Sequence, residues 1–170
     1  YPSSDYFNCS FNSTPSGVSG APAPSGTGFV GLNVTSTFST AAEMIGTCVN
    51  LRAGVTYTVS LYMKGAFDSG GSNPFYIMGV PGSTFPVPVN GSYCPISMTQ
   101  LVTITKAQAY NANWTQRTYT FTSPANFGGI IIGGVCSSTS NYYIYIDNFS
   151  LTTTTPTDYA SITSNVTSVP

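Results

Sequence analysis

Over residues 55–64, apolar and polar side chains alternate without a break. Val55, Tyr57, Val59, Leu61 and Met63 fall on one face, and Thr56, Thr58, Ser60, Tyr62 and Lys64 on the other. A period of two predicts a β-strand with one face on a core. Ala53-Gly54 just before it supplies a turn, because glycine takes positive φ without a Cβ clash. Apolar or alternating runs predict further strands over 29–34, 75–80, 101–106, 114–123, 129–135 and 142–152. Residues 41–51 read two ways. Ala-Ala-Glu-Met favours a helix, whereas the length of the segment and the strand after it favour a strand running into the Ala53-Gly54 turn. The first 28 residues, rich in Ser, Pro and Gly, read as irregular, 67–74 as a loop, and the proline-studded 81–95 as a long surface excursion.

In the last predicted strand, Tyr142, Ile144 and Ile146 alternate with Tyr143, Tyr145 and Asp147, after which the apolar register moves to Phe149 and Leu151. One slipped residue near Asp147-Asn148 predicts a bulge or a change of sheet. Turn signals recur roughly every eight to twelve residues, the spacing of an all-β sandwich.

Composition narrows the function. Charged residues make up only 5 % of the 170 residues, and the net charge is −1. A typical soluble domain carries about a quarter charged residues, so Ser, Thr, Asn and Tyr must keep this surface in water. Four basic residues leave no footprint for nucleic acid. No apolar run approaches the roughly 20 residues of a membrane span. No signal peptide is present, which makes this a mature or excised form if the protein is exported.

Histidine is absent, and Cys9, Cys48, Cys94 and Cys136 form no CxxC pair, which weakens any zinc reading. An even number of cysteines in a chain of secreted composition predicts two disulfides, with three pairings open; the alternative is four buried thiols. Asn8, Asn12, Asn33, Asn90, Asn113, Asn148 and Asn165 each begin an Asn-x-Ser/Thr glycosylation signal, roughly twice the number that the Ser/Thr content gives by chance. Glycans on even a few would account for the missing surface charge, although Asn, Ser and Thr also share loops for other reasons. Both features point to an extracellular or cell-surface protein.

Four pieces occur in a telling order: Asp5-Tyr6-Phe7-Asn8-Cys9; 25–32, SGTGFVGL; Glu43-Met44-Ile45 followed by 51–60, LRAGVTYTVS; and 142–151, YYIYIDNFSL. With Trp114-Thr115 opening a late strand, residues 5–152 resemble a family of secreted bacterial jelly-roll domains that look like carbohydrate-binding modules and occur in cell-surface and adhesin-type proteins. The resemblance implies an all-β jelly-roll β-sandwich over residues 1–152. It says less of function, because such domains serve as sugar binders, adhesin repeats and spacers. Related domains open with an extra strand and a tryptophan before the Asp-Tyr-Phe-Asn piece, and here that strand is missing. At the other end the chain runs past the domain. Residues 153–170 hold a Thr-Pro linker and then Ala160, Ile162 and Val166 spaced in period two among Ser, Thr and Asn. A sandwich lacking a strand leaves unpaired backbone, and unpaired edges recruit strands. This C-terminal extension is therefore a candidate donor strand, or else a disordered linker or stalk.

The resemblance also places Asp147 where related jelly rolls hold a structural Ca²⁺, with Glu43 and Asp5 able to assist. The family's usual partner for it would lie in the missing strand, and an Asp at a bulge bonding its own backbone is the alternative. No catalytic constellation is legible. The five acids are scattered, a Ser-His-Asp or Cys-His site cannot be built without histidine, and there is no GxSxG turn. Sugar binding needs exposed aromatic faces. Trp114, Tyr62, Tyr93, Tyr110, Tyr143 and Tyr145 are the candidates, Tyr62 the best placed, with most of the others expected as core or cross-strand partners. The chain thus reads as a non-catalytic subunit or repeat of an extracellular fibre or adhesin, a head-to-tail homopolymer joined by strand exchange; the competing reading is a carbohydrate-binding module of a secreted protein, with glycans as partner.

Overall fold

The computed structural model describes residues 5–8, 24, 28–34, 43–82, 98–134 and 142–153. These form nine strands and one helical turn: β1 (Asp5–Asn8), β2 (Gly28–Asn33), β3 (Met44–Leu51), β4 (Thr56–Asp68), β5 (Phe75–Val80), β6 (Thr99–Ile104), α1 (Lys106–Ala109), β7 (Thr115–Thr122), β8 (Phe127–Gly133) and β9 (Tyr142–Thr153). They build two antiparallel sheets, ordered β1-β2-β9-β4-β7 and β3-β8-β5-β6. From β2 onward the chain passes between the sheets at nearly every connection, which is the winding of a jelly roll.

The alternating face of β4 is what the two sheets close over. Tyr57, Val59, Leu61 and Met63 are buried, and Thr56, Thr58, Ser60, Tyr62 and Lys64 lie on the opposite face. Opposite them across the sandwich stand Phe75 and Ile77 of β5 and Ile130 and Ile132 of β8, all in the same core. Burying each such side chain contributes about 1.5–3 kcal/mol. The turn before β4 is built as its glycine requires: Gly54 has φ +77°, its N–H donates to Ser123 O at 2.8 Å, and Val55 N–H donates to Arg52 O at 3.2 Å.

Met44–Leu51 resolves as strand β3, because five successive residues pair with β8 from Met44↔Gly133 to Cys48↔Gly129. Three expectations need correction. Asp5–Asn8 is not irregular but a strand, held at the sheet edge by pairing with Gly28–Gly31 of β2. β4 runs to Asp68, because β9 continues beside it as far as Tyr142. Residues 105–110 leave β6 as a helical turn, signalled by Thr105-x-x-Gln108, where the Gln108 side-chain oxygen accepts the Thr105 N–H at 2.9 Å. Among the described residues, no helix is long and apolar enough to cross a membrane. The 81–95 excursion, from Ser83 on, and the 153–170 extension, from Thr154 on, lie outside the described residues.

Candidate functional site

The outer face of the five-stranded sheet carries two different surfaces. Around β4 and β7 it is a ladder of hydroxyls. Thr56 and Thr122 oxygens lie 3.0 Å apart, Thr58 and Thr120 oxygens 3.3 Å apart, and Gln116 Nε2 donates to Ser60 Oγ at 2.9 Å. Such cross-strand pairs each contribute a few tenths of a kcal/mol and keep the face wet without charge. Toward β2 the same face turns aromatic. Phe29 meets Trp114 at 5.5 Å and Tyr145 at 4.7 Å between ring centroids, and Tyr143 meets Tyr145 at 6.0 Å. Phe29, Tyr143 and Tyr145 are buried in this second cluster, with Trp114 and Ala66 packed against it.

Most of the aromatic candidates therefore use their faces on one another. Tyr110 is likewise engaged, edge-on to Tyr142 at 6.1 Å. It lies so close over Gly65 that a Cβ there would sit 2.8 Å from its ring. Tyr62 and Trp114 keep part of their surface, as does Tyr110 beside the core. Tyr62 stands half-buried between Gln116 of β7 and Asp147 of β9 in the sheet register. Trp114 Nε1 is buried and, among the described residues, has no hydrogen-bond partner. Tyr93 lies outside the described residues.

Several charged side chains hold structure together. Lys106 Nζ bonds Asp68 Oδ1 at 2.7 Å and sits 5.3 Å from the centre of the Tyr142 ring. That hydrogen bond, with a second from the Gly70 N–H, holds the Asp68 carboxyl below the usual aspartate range. Arg117 Nε donates to Gln108 O and its Nη2 to Asn111 Oδ1, tying β7 to α1 and the segment after it. Glu43 Oε2 accepts the Asn33 N–H at 2.6 Å. Burial pushes the Tyr142 hydroxyl pKa up, with Asp68 and Tyr76 adding to the rise, and the hydroxyl donates to Asn73 O at 2.9 Å.

Asp147 does what a bulge aspartate does: its Oδ1 accepts the Asn148 N–H at 2.7 Å. Asn148 has φ +50°, and the β4–β9 register shifts between Ser60/Tyr62, so the slip in the apolar pattern is a bulge. Glu43 is tied at Asn33, which pairs with Tyr143, four residues along β9 from Asp147. Among the described residues, no group of three or more His, Cys, Asp or Glu side chains could hold a metal ion.

Cys48 is exposed on the edge strand β3 and is a free thiol, so the disulfide expected of it is not seen. Cys9, Cys94 and Cys136 lie outside the described residues, as do Asn12, Asn90, Asn165, Ala160, Ile162, Val166 and the side chains of Asp5 and Asn8. Of the remaining glycosylation signals, Asn113 and Asn148 are exposed, whereas Asn33 sits within β2 with its Oδ1 buried.

The bulge also marks where pairing changes. β2 pairs with β9 only from Tyr143 to Ile146. Past Asn148, residues 150–153 of β9 pair with Tyr57–Ser60 of β4 on one side. Among the described residues, no strand pairs with them on the other. Sequence reasoning located the bulge and expected unpaired backbone somewhere in the sandwich, but did not place it on β9, because pairing partners are not written in a strand's own pattern.

Several solved structures follow a similar chain course. They include a family 16 carbohydrate-binding module, at 18 % identity over 77 % of this chain and 80 % of that one, with a TM-score of 0.46. The N-terminal cellulose-binding domain of Cellulomonas fimi β-1,4-glucanase C matches at 15 % identity over 75 % and 79 %, with a TM-score of 0.48. The K3 cleaved adhesin domain of Lys-gingipain from Porphyromonas gingivalis matches at 14 % identity over 88 % and 91 %, with a TM-score of 0.49. Both kinds of protein named by the sequence resemblance, carbohydrate-binding modules and adhesin domains, stand among these neighbours. No family model matches the chain, and no curated protein does either. The assignment to an all-β sandwich rests on the two sheets themselves.

Proposed function

We propose that the chain is a non-catalytic β-sandwich subunit or repeat of an extracellular fibre or adhesin, joined to its neighbours by strand exchange. The observation that carries this reading is the half-edge of β9 past Asn148, which no strand among the described residues pairs. Proteins that keep a sheet edge from pairing place lysine, proline or an inward charge on it. Residues 149–153 read Phe-Ser-Leu-Thr-Thr, with none of these. An extended segment laid there would gain a ladder of backbone hydrogen bonds, each about 0.5–1.5 kcal/mol net. The tail around Ala160, Ile162 and Val166 has the period-two pattern of such a segment. A contact of tail to edge is head-to-tail and does not close on itself, so it yields filaments rather than dimers.

Light scattering and negative-stain electron microscopy of the intact chain test the reading. Filaments that vanish when residues 158–170 are removed, with the circular dichroism of a β-sandwich retained, are the expected result. Polymers formed equally by the shortened chain would refute it.

A second reading, glycan binding, is favoured by one feature: Tyr62 and Trp114 keep partly exposed rings beside the Ser60–Gln116 hydroxyl ladder. Titration with soluble β-glucans and xylans tests it, with Tyr62→Ala expected to weaken binding at least tenfold. Absence of saturable binding to either polymer class rules it out for those ligands.

A further inference from the structure

Beside the half-edge of β9 that no described strand pairs lies a cleft between the sheets. Its walls are Ile45, Gly46 and Thr47 of β3, Ile130 and Ile132 of β8, and Phe149 of β9, and it holds about 150 Å³. An apolar cavity of about that volume takes a group the size of benzene. Thr47 offers the single side-chain hydroxyl in the lining. Phe149 and Ile45 pack only partly against the core here, so each leaves apolar surface that a further side chain would cover at about 25 cal/mol per Å².

The chain beyond β9 offers one side chain of suitable shape at a suitable spacing. Residues 160, 162, 164 and 166 share one face of an extended strand. They are Ala, Ile, Ser and Val, so Ile162 is the largest of the set. Thr155 precedes Pro156, which biases its backbone toward the extended region, and a linker that stays extended carries the strand away from its own edge, by at most about 3.3–3.6 Å per residue.

We infer that this cleft is the acceptor pocket for the tail of a second copy of the chain, with Ile162 as the side chain that fills it. The inference rests on the strand-exchange reading and deepens it by naming the acceptor site. Backbone pairing along residues 149–153 supplies attraction without choosing a register, since every second residue fits a ladder equally well. The pocket supplies the choice: a slip by one residue turns Ile162 to solvent, and a slip by two offers Ala160 or Ser164 in its place.

The test uses two full-length variants in a Cys48→Ser background, one carrying Thr47→Cys and the other Ile162→Cys, mixed with an added disulfide-forming oxidant. An intermolecular 47–162 disulfide, mapped on peptides by mass spectrometry, is the expected result, with assembly retained before oxidation. Assembly by light scattering without that link overturns the pocket while leaving strand exchange standing. A link formed only within one chain, when both cysteines are placed on the same copy, overturns it in favour of the protein's own tail. An intact chain that never assembles removes the strand-exchange reading, and the inference goes with it. As a second arm, Thr47→Trp fills the cleft and should raise the concentration needed for assembly at least tenfold with unchanged circular dichroism. Assembly at the parent concentration by folded Thr47→Trp also overturns the pocket. If that variant does not fold, the cross-link decides.

Discussion

Gly79→Ala pits two effects of opposite sign against each other. Gly79 lies in β5 with no positive φ, so alanine fits its backbone. In a strand interior, replacing Gly by Ala on backbone grounds alone would stabilise by about 0.5–1 kcal/mol. The neighbour decides otherwise. A Cβ on Gly79 would sit 2.7–2.9 Å from Cδ2, Cγ and Cε2 of the Phe127 ring, which is only 3 % exposed. A buried ring held in the core cannot swing aside without disturbing its packing, and overfilling of this kind costs about 1–3 kcal/mol. The expected net is a loss of about 1–2 kcal/mol, a fall in Tm of about 2–8 °C for a chain of this size. Differential scanning calorimetry measures it directly. Combining Gly79→Ala with Phe127→Leu, which withdraws the ring, completes a cycle. Two residues in contact should couple by about 0.5–3 kcal/mol, leaving the double variant more stable than the sum of the singles. A Gly79→Ala protein as stable as the parent, or strictly additive effects, would refute the packing argument.

Three further outcomes follow from the structure. Tyr142 is buried and its pKa raised, so the native state holds the proton more tightly than the unfolded chain; stability is whole below the unfolded value near pH 10 and falls as pH climbs above it. Denaturant melts from pH 8 to 11 should show that fall in the parent and a shallower one in Tyr142→Phe, which also loses about 1 kcal/mol at neutral pH with the bond to Asn73 O. At Asn148, φ +50° favours glycine over alanine; Asn148→Ala should cost about 1–2 kcal/mol in urea unfolding and Asn148→Gly much less, and equal costs would contradict the left-handed bulge. Cys48 should react with a thiol reagent in the native protein without denaturant, and Cys48→Ser should abolish that labelled site; an unreactive Cys48 in the native protein would restore the disulfide.

The chain's own pattern determined the strands. Period two over residues 55–64 set which side of β4 is buried, Ala53-Gly54 set the turn before it, and the misplaced apolar step after Ile146 announced the bulge at Asn148. These are local properties: alternation maps directly onto the two faces of a pleated strand, and a positive φ is available to few residue types. Thr105-x-x-Gln108 was equally local and went unread because it sits at the end of an apolar strand.

Only the tertiary structure decided what each face meets. Phe29, Tyr143 and Tyr145 look from the sequence like any strand aromatics; it is the pairing of Val30 with Ile146 and of Gly31 with Tyr145 that brings their rings together beside Trp114 and takes them out of reach of a ligand. Residues 41–51 carried helix and strand signals together, and pairing with β8 tipped the balance, because a strand's hydrogen bonds depend on its neighbours and a helix's do not. The cleft under Phe149 has walls from three strands separated by about a hundred residues of chain, and among the described strands it lies where β2 no longer pairs with β9, past Ile146. Which side of a strand is apolar is a property of that strand, but which edge stays unpaired is a property of the whole sheet.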